Sequence, residues 1–283
     1  MEYKYKLSLC VCIKNEAHNI NHFIGHYITQ GVEHFYIINN NSDDNLEEII
    51  QESPYNLLIT LLHFETPIDV NQAYSYTNGL VAAYNKTCAK LIKEETEWAI
   101  VVDIDEFMYG KNGYNIRTYL DQIDPEIGSI YVLWNIMTSP LVSTESCSPF
   151  STNINTFRRL NYDLINNVSA EIRNANDFGK SIFRTSMLNG PVALHKLHKT
   201  TGKIINNYGE NKNSWYDNKN AIVLSEEQFK KINISLNHYV IRDYNEYIKK
   251  KIHYENNPTN RKLFLAGVLE LLGLHDKYFA PNC

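Results

Sequence analysis

Long apolar runs are what this 283-residue chain has least of. The longest, at residues 57–62 and 99–102, fall far short of the roughly 18 to 20 residues that cross a bilayer, so no helical membrane span is expected. A dense block of Lys and Arg is also missing. With 27 basic against 32 acidic residues the net charge is −5, which argues against duplex nucleic acid as a partner, because that binding needs several phosphate contacts. The five cysteines are odd in number, and Cys10, Cys12, Cys88, Cys147 and Cys283 form no regular framework, as expected of a reducing compartment. Cys10 and Cys12 sit two apart in a strand-like stretch, hence on one face, where core packing is a simpler account than metal or redox use. The opening Met-Glu-Tyr-Lys-Tyr-Lys has neither the apolar segment nor the cleavage site of a secretory leader, which makes a cytoplasmic location the expectation. No repeat at solenoid periods is present.

What remains is an ordinary folding composition, 43% apolar and 21% charged, in a chain long enough for one large α/β domain with a modest extension. Residues 7–13 read as a strand, and Ile20, Phe23, Ile24, Tyr27 and Ile28 follow at helical spacing. A second strand at 35–38 and a short helix around Leu46, Ile49 and Ile50 come next, then a third strand at 57–64. A helix over 71–93 leads to a fourth strand at 98–102. Strands alternating with helices predict right-handed crossovers and a mostly parallel, Rossmann-like sheet flanked by helices. Ligands bind beyond the carboxyl ends of such strands. Three polar clusters stand at those ends: Lys14-Asn15-Glu16, residues 39–44, and Asp103 to Glu106. Beyond Phe107 the alternation loosens, with strands expected at 130–134 and 182–184 and loops in the Asn-rich stretches at 151–180 and 206–220. From Tyr239 onward helical spacing returns, and the apolar segment 263–274 must pack on its own domain or on a partner.

The sharpest chemical signal is Val101-Val102-Asp103-Ile104-Asp105-Glu106-Phe107. On an extended chain, side chains two apart point the same way, so Asp103 and Asp105 are expected side by side at a strand end. Two hard oxygen donors suit Mg²⁺ or Mn²⁺ and leave coordination positions for water and phosphate oxygens. The plain alternative is a pair of solvated turn residues.

Several blocks in order resemble glycosyltransferase family 92 and its family-2-like relatives, the DUF23 superfamily. They are residues 12–16 (CIKNE), 31–36 (GVEHFY), 41–44 (NSDD), Trp98 with 103–107 (DIDEF), 179–184 (GKSIFR), the His195 region, and Asn237-His238-Tyr239 with Tyr244, Glu246, Tyr247 and Lys250. The resemblance implies a GT-A fold and transfer of a hexose, galactose favoured, from a UDP-sugar to an acceptor hydroxyl on a glycan or glycoconjugate. It places a glycosyltransferase domain at 1–240, with the nucleotide-sugar half at about 1–110 and the acceptor half at 111–240, before a helical extension at 241–283. Carried over by position, Lys14, Asn15 and Glu16 would border the nucleotide, and Asp43 or Asp44 would lie near base or ribose. Asp103 would face ribose and metal, and Asp105 would be the principal ligand of Mn²⁺ or Mg²⁺. Where many relatives end the second strand in acids, this chain has Asn39 and Asn40, which can still hydrogen-bond a base or ribose. Residues 135–140 also depart from the relatives' Phe-Gly-Ser type segment.

An imidazole from His195, His238 or His198 could complete the metal shell, and Lys180 and Arg184 could offset diphosphate charge. An inverting transfer needs a carboxylate base, for which Glu145, Glu171 and Asp177 are the candidates, whereas a retaining one needs none. Two other readings compete: a sugar-nucleotide nucleotidyltransferase and a catalytically silent glycan-binding domain. The first usually carries a Gly-rich phosphate loop after its first strand, and this chain has no glycine there until Gly25. The segment at 263–274 could also mediate a homodimer.

Overall fold

A computed structural model describes residues 2–68, 73–138, 158–159, 179–193, 200–209 and 226–239. β1 (Tyr5–Ile13) runs parallel to both β2 (His34–Asn39) and β4 (Thr96–Val101), and β3 (Ile59–His63) extends the parallel set beyond β2. Apolar residues fill both faces of β1 because both faces are covered. Leu7, Leu9, Val11 and Ile13 pack with Ile20, Phe23, Ile24 and Tyr27 of α1 (Ala17–Thr29). Cys10 on the other face packs with Tyr84 and Cys88, beneath α3 (Ala73–Thr87) and α4 (Ala89–Glu95), as core packing required.

The single helix expected over 71–93 is two, separated at Cys88. Thr87 Oγ1 donates back to Ala83 O at 2.7 Å, the kind of side-chain bond that competes with helical continuity. The third strand is also shorter than expected, since residues 56–58 form a 3₁₀ turn ahead of it. α2 (Leu46–Glu52) lies where the spacing of Leu46, Ile49 and Ile50 put it.

The sheet continues past β4 in a different style. β8 (Gly179–Arg184) lies antiparallel between β4 and β6 (Ile127–Thr138), and β10 (Ile234–His238) runs parallel to β6 and antiparallel to the edge strand β5 (Glu106–Gly110). The order is β3-β2-β1-β4-β8-β6-β10-β5, with β7 (Arg158–Arg159) and β9 (Lys203–Asn206) also paired to β6. Five of the nine ladders are parallel, so the α/β sheet is mostly parallel, as expected. Strands β7 and β9 fall partly in the Asn-rich stretches expected to be loops. Two short helices, α5 (Ile116–Leu120) and α6 (Glu226–Lys231), and a 3₁₀ turn at Thr185–Met187 complete the described elements. No described helix is long and apolar enough to cross a membrane. The extension at 241–283 lies outside the described residues.

Candidate active site

β4 ends at Val101, and the acids after it occupy a turn, not an extended segment. Glu106 N donates to Asp103 O at 3.0 Å, and Asp103 N donates to Glu106 Oε2 at 2.7 Å, a reciprocal clamp that closes the turn on itself. This corrects the expected alternation: Asp103 and Asp105 lie on a turn, and each meets a different basic side chain. Asp103 Oδ2 accepts from Lys180 Nζ at 2.7 Å. Asp105 Oδ2 stands 3.6 Å from His238 Nε2, while its carbonyl accepts from Tyr239 N at 2.9 Å. Tyr27 of α1 pins the turn from below, donating to Glu106 O and accepting from Met108 N, both at 2.9 Å.

At the centre lies Glu106, whose side chain is fully buried, with Oε2 3.4 Å from Lys180 Nζ. Burial pushes its carboxyl up to about 7; Lys180 and His238 pull it down, and Asp103 and Asp105 push it further up. Its Oε1 has no hydrogen-bond partner among the described residues. Lys180 is equally buried, and although burial alone would lower its pKa, Asp103 and Glu106 outweigh that and raise it. His238 follows the same logic: burial lowers it, Asp105 more than compensates, and the net shift is upward. The Trp134 ring lies against the imidazole, centroids 4.2 Å apart, which fixes its plane.

The loops after β1 and β2 interlock beside this turn. Asn15 and Asn41 take left-handed backbone with φ of 59° and 53°, a conformation asparagine tolerates better than most residues. Asn15 N donates to Ser42 Oγ at 3.0 Å, and Asp43 N donates to Asn15 Oδ1 at 2.6 Å. Asp44 Oδ2 accepts from Ala17 N at 2.9 Å, so it caps α1 from a neighbouring loop. Asn39 is buried, with Oδ1 accepting from Ser42 N at 2.9 Å and Nδ2 donating to Glu47 at 3.3 Å. Lys14, Asn15 and Asp43 are exposed and Glu16 is half-buried around the mouth of these loops.

Lys180, a candidate to offset diphosphate charge, is buried and paired with Asp103 and Glu106. Arg184 belongs to the opposite end of the sheet. Its register partner is Trp98, five residues before Asp103, roughly 16 Å away at about 3.3 Å per strand residue. There its guanidinium bonds Glu97 at 2.8 Å and lies over the Trp98 ring at 4.2 Å. His195, His198, Glu145, Glu171 and Asp177 lie outside the described residues. Glu106 carried no assigned role of its own in the sequence; its signal was membership of the polar cluster from Asp103 to Glu106.

Among the described residues, no three His, Cys, Asp or Glu side chains converge as a metal cluster. The donor set nonetheless fits a hard divalent ion of the kind that retains water and phosphate ligands, since Asp103 and Asp105 supply carboxylates on one short turn. Against these details stands one decisive comparison: the profile of glycosyltransferase family 92 matches residues 5–263. The chain belongs to glycosyltransferase family 92. A family 92 protein of Oryza sativa subsp. japonica is 28% identical over 130 residues, covering 44% of this chain and 20% of that protein. One of Arabidopsis thaliana is 30% identical over 106 residues, 38% of this chain and 17% of its own length. This family 92 chain thus matches about a fifth of the length of these curated relatives. Among solved structures, S. aureus TarS aligns over 65% of the chain and 29% of its own length at 18% identity and a TM-score of 0.37. A likeness at that level carries no argument.

Proposed function

We propose that this family 92 chain transfers a hexose, galactose favoured, from a UDP-sugar to an acceptor hydroxyl on a glycan or glycoconjugate, with Mn²⁺ or Mg²⁺ held by Asp103 and Asp105. The observation that carries the reading is the turn after β4, where three acids meet Lys180 and His238 beyond the carboxyl ends of the parallel strands. Bound there, the ion would offset diphosphate charge and act as a Lewis acid on the departing UDP. The protein's own groups supply the positioning. Lys180 holds one oxygen of Asp103, which leaves the second oxygen for a ligand, and the Glu106 clamp fixes the turn's backbone. His238, backed by Trp134, sits against Asp105 and limits the directions its carboxylate can take. Lys14, Asn15, Glu16 and Asp43 border the adjoining loop mouth, where a nucleotide would lie.

Incubating the purified chain with UDP-galactose and UDP-glucose in the presence of Mn²⁺ should release UDP, and Asp105→Asn should lose that release while keeping a cooperative melt. Unaltered turnover in Asp105→Asn would remove the metal assignment. A silent glycan-binding domain is the second reading, and the pairing of Lys180 with Asp103 is the observation in its favour, because a lysine there already neutralises one acid. Tight UDP binding with no turnover of any donor would select it.

A further inference from the structure

The two-stranded ladder of β5 and β10 carries different chemistry on its two faces. Its register sets His238 opposite Glu106 and Asn237 opposite Phe107. Alternation then sends Glu106 and His238 to one face and Phe107, Tyr109, Asn237 and Tyr239 to the other. The first face holds the acid cluster. Together with α1, the second opens into a cleft of about 690 Å³, within the roughly 300 to 1,000 Å³ usual for small-molecule sites.

Phe107 and Tyr239 make the floor, meeting edge to face with centroids 5.5 Å apart. Half-buried Tyr55 and Tyr109 stand at its walls. Polar groups punctuate the rings: Asn237 Nδ2 lies 3.4 Å from Tyr239 Oη, and His26 Nε2 is 2.8 Å from Met108 O. Among the described residues no Asp, Glu, Lys or Arg lines the cleft, and burial lowers the pKa of both His22 and His26, which favours neutral imidazoles at pH 7. A phosphate or nucleotide would meet no counter-charge among these residues. Phe107 and Tyr239 are nearly fully buried, so the rings open to a ligand are Tyr55 and Tyr109, and these beside neutral hydrogen-bonding groups suit a ligand with C–H patches and many hydroxyls.

We infer that this cleft is a second saccharide subsite, binding a neutral sugar of the glycan acceptor on the reverse of the ladder from Asp105. A sugar there cannot offer the reacting hydroxyl, so the subsite anchors a longer acceptor at a distance from the acid turn. Saccharide binding in the cleft rests on membership of family 92 alone; its distance from the reacting hydroxyl rests on the acid turn being the transfer site.

Saturation-transfer NMR on the full chain with millimolar lactose, cellobiose and N,N′-diacetylchitobiose tests it. At least one disaccharide should receive saturation, keep it when UDP and Mn²⁺ are added, and bind about tenfold more weakly to Tyr109→Ala and Tyr55→Ala, a typical loss for an aromatic contact. Both variants should melt cooperatively and keep wild-type UDP affinity. No transfer to any of the three sugars, equal transfer in both variants, displacement by UDP, or a parallel loss of UDP binding in both variants would each overturn the inference. Saccharide binding with no UDP binding would defeat the donor reading and leave this one standing.

Discussion

Replacing Lys180 by methionine keeps most of the side chain's reach and deletes its charge. In the wild type Nζ is buried 2.7 Å from Asp103 Oδ2 and 3.4 Å from Glu106 Oε2. Removing one partner of a buried ion pair costs about 3 to 5 kcal/mol, because the other charge stays behind without compensation. Two features of the site pull the figure to the lower end. The Asp103 side chain retains 24% exposure, so water recovers part of its charge. Glu106 already sits at about 7, and without the lysine it moves higher and takes up a proton near neutrality. The expected loss is therefore about 3 kcal/mol at pH 8, a fall of roughly 6 to 12 °C in Tm for a domain of this size. At pH 5.5 the loss should be smaller, because Glu106 is then protonated in both proteins. Urea unfolding followed by tryptophan fluorescence at the two pH values measures both. A loss under about 1 kcal/mol at pH 8, or a larger loss at pH 5.5, would refute the buried-triad electrostatics.

Other outcomes follow from the same geometry. The folded Glu106 carboxyl, raised to about 7 from an ordinary 4.5, binds a proton that the unfolded chain releases, so stability should fall by up to about 3 kcal/mol as pH rises across that window. His238 adds the same sign, since its raised pKa contributes stability below about 6.5 that is lost as pH climbs through the folded value. Glu106→Gln should flatten most of this slope in urea titrations, and an unchanged slope would assign it elsewhere. Gly179→Ala would set a Cβ 2.1 Å from the Val132 carbonyl oxygen, displacing the strand that carries Lys180. Overpacking of that kind costs about 1 to 3 kcal/mol, and calorimetry should show it together with weakened UDP binding. Arg184→Met should lower stability by about 1 to 2 kcal/mol through its lost hydrogen bonds while leaving UDP affinity within about twofold, because it lies at the far end of β4.

The parallel half was legible because its strands are buried on both faces and read as short apolar runs, as in Leu7-Ser8-Leu9-Cys10-Val11-Cys12-Ile13 and Trp98-Ala99-Ile100-Val101. Loop asparagines at the ends of β1 and β2 marked the turns there, where Asn15 and Asn41 take left-handed backbone. The second half was harder. β5 and β10 are five residues each and pair across more than a hundred positions, so neither carries a local signal of its partner. The turn at Asp103 was missed for a related reason. Its closing bond uses the Glu106 side chain, and a period-two reading of Asp-Ile-Asp cannot see a carboxylate reaching back to a backbone N–H. For Lys180 the sequence offered a diphosphate partner or plain solvation, and only the fold brings two acids against it. Arg184 was misplaced by the antiparallel direction of β8, which carries it away from the site that Lys180 enters.

Calorimetric titration of UDP into the wild-type chain and Asp105→Asn, with and without Mn²⁺, addresses the acid turn most directly. Manganese should tighten UDP by about tenfold or more in the wild type, equivalent to about 1.4 kcal/mol, and by nothing measurable in the variant. Equal UDP affinity in the wild type with the ion and without it would contradict a metal bridge at Asp103 and Asp105.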